Sequence, residues 1–282
     1  MKKVIFLVTS IDGLRKQNFI KQLGNLNNRN FEISILLAMT NFDEVWVAKK
    51  ELSLLGKRYH LPEVEVITLT DIFGNRKGID LTADDLKKID LSKLEKRVSK
   101  NNKDTVERYI NSEGDIIAES TLNKDGVPFD IKLYDDDNQL QQITSYDKDN
   151  HLFGIHKYVG GHLTETLLLN NEQKLIFRFI LHDEPMRTMY SLANTSVLSI
   201  PQTILDEGVI DNSGGLINVD SQSDLVRREV INYTNYDRYY DINSFYREIL
   251  NSLDYENARI YVDIEDVVDI TTYLSNRTIF NY

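Results

Sequence analysis

The chain has no cysteine. Disulfides, thiolate catalysis and sulfur-ligated metals are thereby excluded. Basic charge is in deficit: 33 lysines and arginines stand against 44 aspartates and glutamates, a formal charge of -11 at pH 7. Such a field repels phosphate polymers, so no nucleic acid is expected as a partner. No run approaches the roughly 20 apolar residues that a bilayer-spanning helix needs. The opening MKKVIFLVTS has the charge-then-apolar outline of a signal peptide, but its apolar run is only Val4 to Val8 and it lacks a small-residue cleavage site. A first β-strand is the better reading, and a cytoplasmic protein is expected. G-x-S-x-G, Walker and G-x-G-x-x-G sequences are absent, so hydrolase, NTPase and dinucleotide readings lack their carriers. The histidines show no metal spacing either, since His151 and His156 are five apart on an expected strand and fall on opposite faces. Neither a metal nor a cofactor is expected.

What is present is an ordinary globular composition, 41% hydrophobic and 27% charged over 282 residues, enough for one large domain or two modest ones. Residues 1 to about 80 alternate strand and helix. KVIFLVTS and FEISILLAM are continuous apolar runs of the kind found in strands buried on both faces. Phe19, Ile20, Leu23 and Leu26 recur between them at helical spacing, a second helix is expected from Asp43 to Leu55, and VEVITLT reads as a third strand. This alternation favours a parallel sheet with helical crossovers. From Gly78 to Arg108 the chain is charged and reads as a solvated connecting helix, with Thr82 and Asp85 as its capping pair.

A twelve-residue repeat follows. Turn candidates begin at residues 111 (NSEG), 123 (NKDG), 135 (DDDN), 147 (DKDN), 159 (VGGH) and 171 (NEQK). Gly114, Gly126, Asn138 and Asn150 take the fourth turn position, where a left-handed backbone suits Gly and is tolerated by Asn. The residues between turns form strands, with Ile131, Ile143, Ile155 and Leu167 in register, so an antiparallel meander of six or so strands is expected. The acidic turns lack the Gly and acidic positions of an EF-hand loop. Because an open meander has two exposed edges, this sheet should lie against another domain or another copy of the chain, and an oligomer is expected.

Toward the end the first style returns. A helix bearing Ile242, Phe245, Ile249 and Leu253 precedes the strand ARIYVD, a short helix EDVVDITTYLSN and the strand RTIFNY, which should rejoin the N-terminal sheet. Ligands of open α/β sheets bind beyond the carboxyl ends of the strands. Two such ends are visible, Ser10 to Gly13 after the first strand and Asp263 to Asp266 after the late one. Asp12, Asp263, Glu265 and Asp266 either face a cleft there or cap helices. Tyr233, Tyr236, Tyr239, Tyr240, Phe245 and Tyr246 either form a sugar-stacking platform or pack between the insertion and the sheet.

The α/β start, the inserted repeat of Y-D-x-D-N turns, the YYDINSFYREIL helix and the YVDIEDV strand resemble the N-terminal, acceptor-side half of GT-B retaining glycosyltransferases of Gram-positive bacteria. Those enzymes glycosylate wall teichoic acid or serine-rich surface proteins, and their inserted sheet assembles subunits or engages the acceptor. The resemblance implies a Rossmann-like domain over 1–108 and 231–282, an inserted antiparallel domain over 109–230, and an acceptor cleft at Ser10, Asp12, Gly13, Asp263 and Glu265. It names no catalytic residue. Relatives carry Gly-Gly after the first strand and Ser-Asp-Arg after the late one, where this chain has SIDGLRK and VDIED. The donor-binding half is not expected within these 282 residues. The chain is therefore expected to present a protein or wall-polymer acceptor to a donor domain elsewhere, either in a longer protein of which this is a fragment or on a separate donor-domain subunit. The alternative is a noncatalytic adaptor or chaperone that binds a glycosyltransferase or its protein substrate.

Overall fold

The computed structural model describes residues 3–27, 29, 31–59, 64–100, 105–181, 186–191, 197–201, 216–219, 228–234, 237–239, 242–253, 258–264, 266, 270–271 and 278–282. In chain order the elements begin with β1 (Lys3–Val8), α1 (Ile11–Arg15), α2 (Gln17–Asn27), β2 (Glu32–Leu37), α3 (Val45–Tyr59), β3 (Glu65–Thr68) and α4 (Leu69–Phe73). Eight strands follow: β4 (Glu95–Lys100), β5 (Thr105–Ile110), β6 (Ile116–Leu122), β7 (Pro128–Tyr134), β8 (Leu140–Tyr146), β9 (Leu152–Val159), β10 (His162–Leu169) and β11 (Leu175–Leu181). Then come β12 (Met186–Ser191), β13 (Val197–Pro201), β14 (Leu216–Val219), β15 (Arg228–Asn232), β16 (Asp237–Tyr239), α5 (Ile242–Ser252), β17 (Arg259–Val262) and β18 (Ile279–Asn281).

β1 and β2 are buried from their second residue onward, as continuous apolar strands of a covered parallel sheet must be. The sheet order is β18-β17-β1-β2-β3, all parallel. The late segment thus rejoins the first strand, with Val4 opposite Arg259 and Leu7 opposite Val262. In sheet order the chain reverses direction between β1 and β17, the topological switch point where α/β folds place ligands. Phe19, Leu23 and Leu26 of α2 pack into this core, as their spacing requires.

The second layer is a ten-stranded antiparallel sheet in the order β16-β15-β11-β10-β9-β8-β7-β6-β5-β4. Eight of its strands are consecutive, more than the six of the repeat reading. The first four turns are built as the repeat dictates, whereas the last opens at Asn170, one residue before the expected 171, with Gln173 at a φ of 61°. Gly114, Gly126, Asn138 and Asn150 have φ of 98°, 80°, 58° and 63°. Each turn also opens with a side-chain oxygen that accepts two backbone amides: Asn111 from Glu113 and Asp115, Asn123 from Asp125 and Val127, Asp135 from Asp137 and Gln139, Asp147 from Asp149 and His151. This local bond is why Asn and Asp recur at the first position. β12, β13 and β14 form a separate three-stranded sheet, an excursion between β11 and β15.

The connecting helix expected from Gly78 to Arg108 is corrected. Thr82 and Asp85 do bond, the carboxylate accepting from the Thr82 amide at 3.0 Å and hydroxyl at 2.7 Å, but they close a turn. Ile79 bridges to Leu175, and Glu95–Lys100 is the edge strand β4. All six residues of β4 are exposed, so neither face carries the apolar alternation that marks a strand in sequence. Its charge is paired across and along the edge, Lys96 with Glu107 at 2.5 Å and Arg97 with Glu95 at 2.8 Å. The antiparallel sheet accordingly extends from Glu95 to Tyr239, past 109–230 at both ends.

The two layers share one core. Phe177 on β11 lies 4.8 Å from Phe73 of α4 and 5.0 Å from Phe245 of α5, ring centre to ring centre, and Phe179 lies 5.1 Å from Phe245. Phe245 and Tyr246 are buried there, and the Tyr233 hydroxyl accepts from Arg178 at 3.2 Å. These three aromatics pack rather than form a sugar platform; Tyr236, Tyr240 and most of the helix expected over 265–276 lie outside the described residues. No helix among the described residues is long and apolar enough to cross a membrane.

Candidate functional site

At the switch point the segment after β1 meets the segment after β17. Ser10 caps α1, its hydroxyl accepting from the Gly13 amide at 3.3 Å. Gly13 is pressed against the late strand end: a Cβ there would lie 3.2 Å from both Asp263 Oδ2 and the Tyr282 hydroxyl. Asp263 is only 4% exposed, and its Oδ1 is 2.7 Å from Lys16 Nζ. The Tyr282 hydroxyl donates to the Leu7 carbonyl at 3.1 Å, and burial together with the charges of Asp263 and Asp266 raises its proton affinity. Thr9 donates to Asp266 at 2.6 Å. Ser10, Gly13 and Asp263 are therefore brought together. Asp12 is not: its side chain is 84% exposed, 3.7 Å from Arg15 on the same helix. Glu265 lies outside the described residues. Lys16 and Tyr282, which complete the cluster, carry no motif by which the sequence marks them.

A groove of about 800 Å³ opens farther along the same carboxyl-end rim. Phe42 and α3 form one wall, with Thr70, Asp71 and Gly74 of the segment that follows β3. The facing wall comes from the antiparallel sheet: the turns at Asn123–Asp125 and Asp147–Asp149, Phe129 of β7 and Phe153 of β9. Trp46 and Phe129 stack across it with ring centres 4.1 Å apart and planes 3° from parallel. Lys50 Nζ sits 5.3 Å above the Trp46 ring. Below, His156 Nε2 accepts from the Phe42 amide at 3.0 Å, and Phe42 lies so close to Gly154 that a Cβ there would be 2.5 Å from its ring. The groove floor is thus fixed by a histidine and a glycine of the meander. Burial, with the charges of Asp43 and Asp12, pushes the Glu44 carboxyl above its usual range, and burial beside Asp43 and Glu44 pushes Tyr158 up to about 12. The groove was not read from sequence; the one available signal was that Trp46 is the chain's only tryptophan.

No family model matches the chain, and no curated protein matches it in sequence. Solved structures do match. The pneumococcal O-GlcNAc transferase GtfA, in complex with UDP and GlcNAc, superposes with a TM-score of 0.53 at 8% identity over 99% of this chain and 47% of that one. TarM gives 0.51 at 13% identity over 100% of this chain and 49% of its own. The GtfA/B complex bound to UDP and GlcNAc gives 0.50 at 12% identity over 99% and 48%. The chain spans about half the length of the solved structures it matches. The parallel sheet with its large antiparallel layer is the fold of half of a GT-B glycosyltransferase.

Proposed function

We propose that the chain is the acceptor-binding and assembly half of a glycosyltransferase, which together with a donor-binding half moves a sugar from a nucleotide-sugar to a hydroxyl of a surface protein or wall polymer. The observation that carries this reading is the groove's position. It opens from the segments that follow two parallel strands, where α/β folds bind ligands, and its other wall is the inserted sheet. The half-length likeness to GtfA and TarM supports the class, and the UDP and GlcNAc in the GtfA crystal favour a UDP-sugar donor. The likeness to the GtfA/B complex supports assembly with a protein partner. On this reading the protein acts in the cytoplasm, and its acidic charge favours a protein acceptor over an anionic polymer.

One observation favours the adaptor alternative. The strand-end carboxylate of Asp263 is buried and held by Lys16, which suits a structural role better than proton transfer. A transfer assay with labelled UDP-GlcNAc separates the readings. The chain alone should transfer nothing, while a donor-binding GT-B half added in trans should glycosylate an acceptor that binds this chain directly. Turnover by the isolated chain defeats the division of labour. A chain that binds the donor half but no acceptor is the adaptor.

A further inference from the structure

The groove carries no net charge inside a protein of -11. Its four lysines, Lys49, Lys50, Lys124 and Lys148, are balanced by Asp71, Asp125, Asp147 and Asp149. Both walls contribute both signs, and the amides of Asn75, Asn123 and Asn171 stand among them. Two of the carboxylates are already oriented by the fold: Asp71 accepts from the Thr68 amide at 2.8 Å, and Asp147 accepts from the Asp149 amide at 2.9 Å. Donors and acceptors therefore line the same groove as the apolar rings of Trp46, Phe129 and Phe153.

This pattern selects among ligand chemistries. A polyanion meets as many carboxylates as ammonium groups and gains no net attraction. An apolar peptide buries these charged and amide groups without partners. Adjacent hydroxyls on a neutral ring donate to a carboxylate or amide oxygen while accepting from an ammonium or amide N–H, and the ring's C–H groups lie against Phe153 and the edges of the Trp46–Phe129 stack. The volume, about 800 Å³, falls in the range of small-molecule sites.

We propose that the groove binds a neutral saccharide, so that the hydroxyl presented for transfer belongs to a sugar already attached to the acceptor. This rests on the reading of the chain as an acceptor-binding half. It places the protein after a first glycosylation, a reaction that must supply the sugar-bearing acceptor.

Trp46, the single tryptophan, reports groove occupancy by its fluorescence in the intact chain. Three probes are titrated: N,N′,N″-triacetylchitotriose, an unglycosylated serine-rich peptide, and polyphosphate. The saccharide should shift Trp46 emission saturably with a dissociation constant on the order of 1 mM or tighter. Asp149→Ala, a change at an exposed turn residue, should weaken it about tenfold, roughly the worth of one charged hydrogen bond, with circular dichroism unchanged. No saturable response to the saccharide up to about 20 mM overturns the proposal. A response to the peptide or polyphosphate alone also overturns it, while leaving the acceptor-half reading intact. Saccharide binding without any transfer in the reconstituted assay supports the saccharide site and defeats that reading.

Discussion

Lys16 Nζ and Asp263 Oδ1 lie 2.7 Å apart, and the pair joins the segment after the first strand to the segment after a strand 247 residues later. Asp263 is buried while Lys16 is partly open, so the lysine supplies the charge partner that offsets the carboxylate's burial. Lys16→Met should destabilise the chain by about 1–3 kcal/mol, below the figure for a fully buried pair because Lys16 keeps some solvent. Urea unfolding checks this. Asp263→Asn in the Lys16→Met background should recover part of the loss, since it removes the stranded charge.

Gly154 holds the Phe42 ring against the meander. A Cβ there would meet Phe42 at 2.5 to 2.8 Å, and Phe42 is itself buried. Gly154→Val should cost about 3 kcal/mol or more, because a close-packed contact has nowhere to give. Its mark should be a lower thermal midpoint together with altered Trp46 fluorescence, as the groove wall is displaced. An unchanged Trp46 spectrum in a folded variant would show that Phe42 does not set the groove.

Arg178 binds Asp85 and Glu165, each at 2.5 Å, and donates to Tyr233. Burial alone would raise the Asp85 carboxyl, but hydrogen bonds from Thr82 and Arg178 outweigh it and hold the group below its usual range. A carboxyl depressed in the folded state contributes stability above its unfolded pKa and loses it as pH falls through the folded value. Stability should therefore fall as pH drops below about 4, and Arg178→Met should flatten that slope while costing about 3–5 kcal/mol at neutral pH. Denaturant midpoints across an acid series test both.

Asp130 shows the opposite sign. It is 6% exposed on β7, and burial pushes its carboxyl up despite Lys132 nearby and the Thr121 amide at 3.3 Å. A raised carboxyl favours the protonated folded state, so its ionisation costs stability as pH rises from the ordinary carboxylate value through the folded one. Asp130→Asn should raise the thermal midpoint at pH 7, and the gain should shrink as the pH is lowered toward the ordinary carboxylate range. A variant less stable than the parent at pH 7 would contradict this.

The hairpins were legible because their information is local. An Asn or Asp at the first turn position bonds amides two and four residues on, and Gly or Asn at the fourth takes the left-handed backbone, so each turn is written within five residues. The parallel core was legible for a similar reason, since β1 and β2 are continuous apolar runs. β4 was not, because a strand exposed on both faces has no alternation, and Glu95, Lys96, Arg97 and Lys100 favour a helix in isolation.

The sequence by itself determined the turns, the buried strands and the acidic, cysteine-free character of the chain. Tertiary structure decided which strand-end groups meet. Asp12 and Asp263 look alike in sequence, yet one is exposed on α1 while the other is buried against Lys16, Gly13 and Tyr282. It also decided that Trp46 and Phe129, on different layers, close one groove. Such contacts depend on how two sheets dock, and docking energy comes from many weak apolar contacts that no short stretch of sequence encodes.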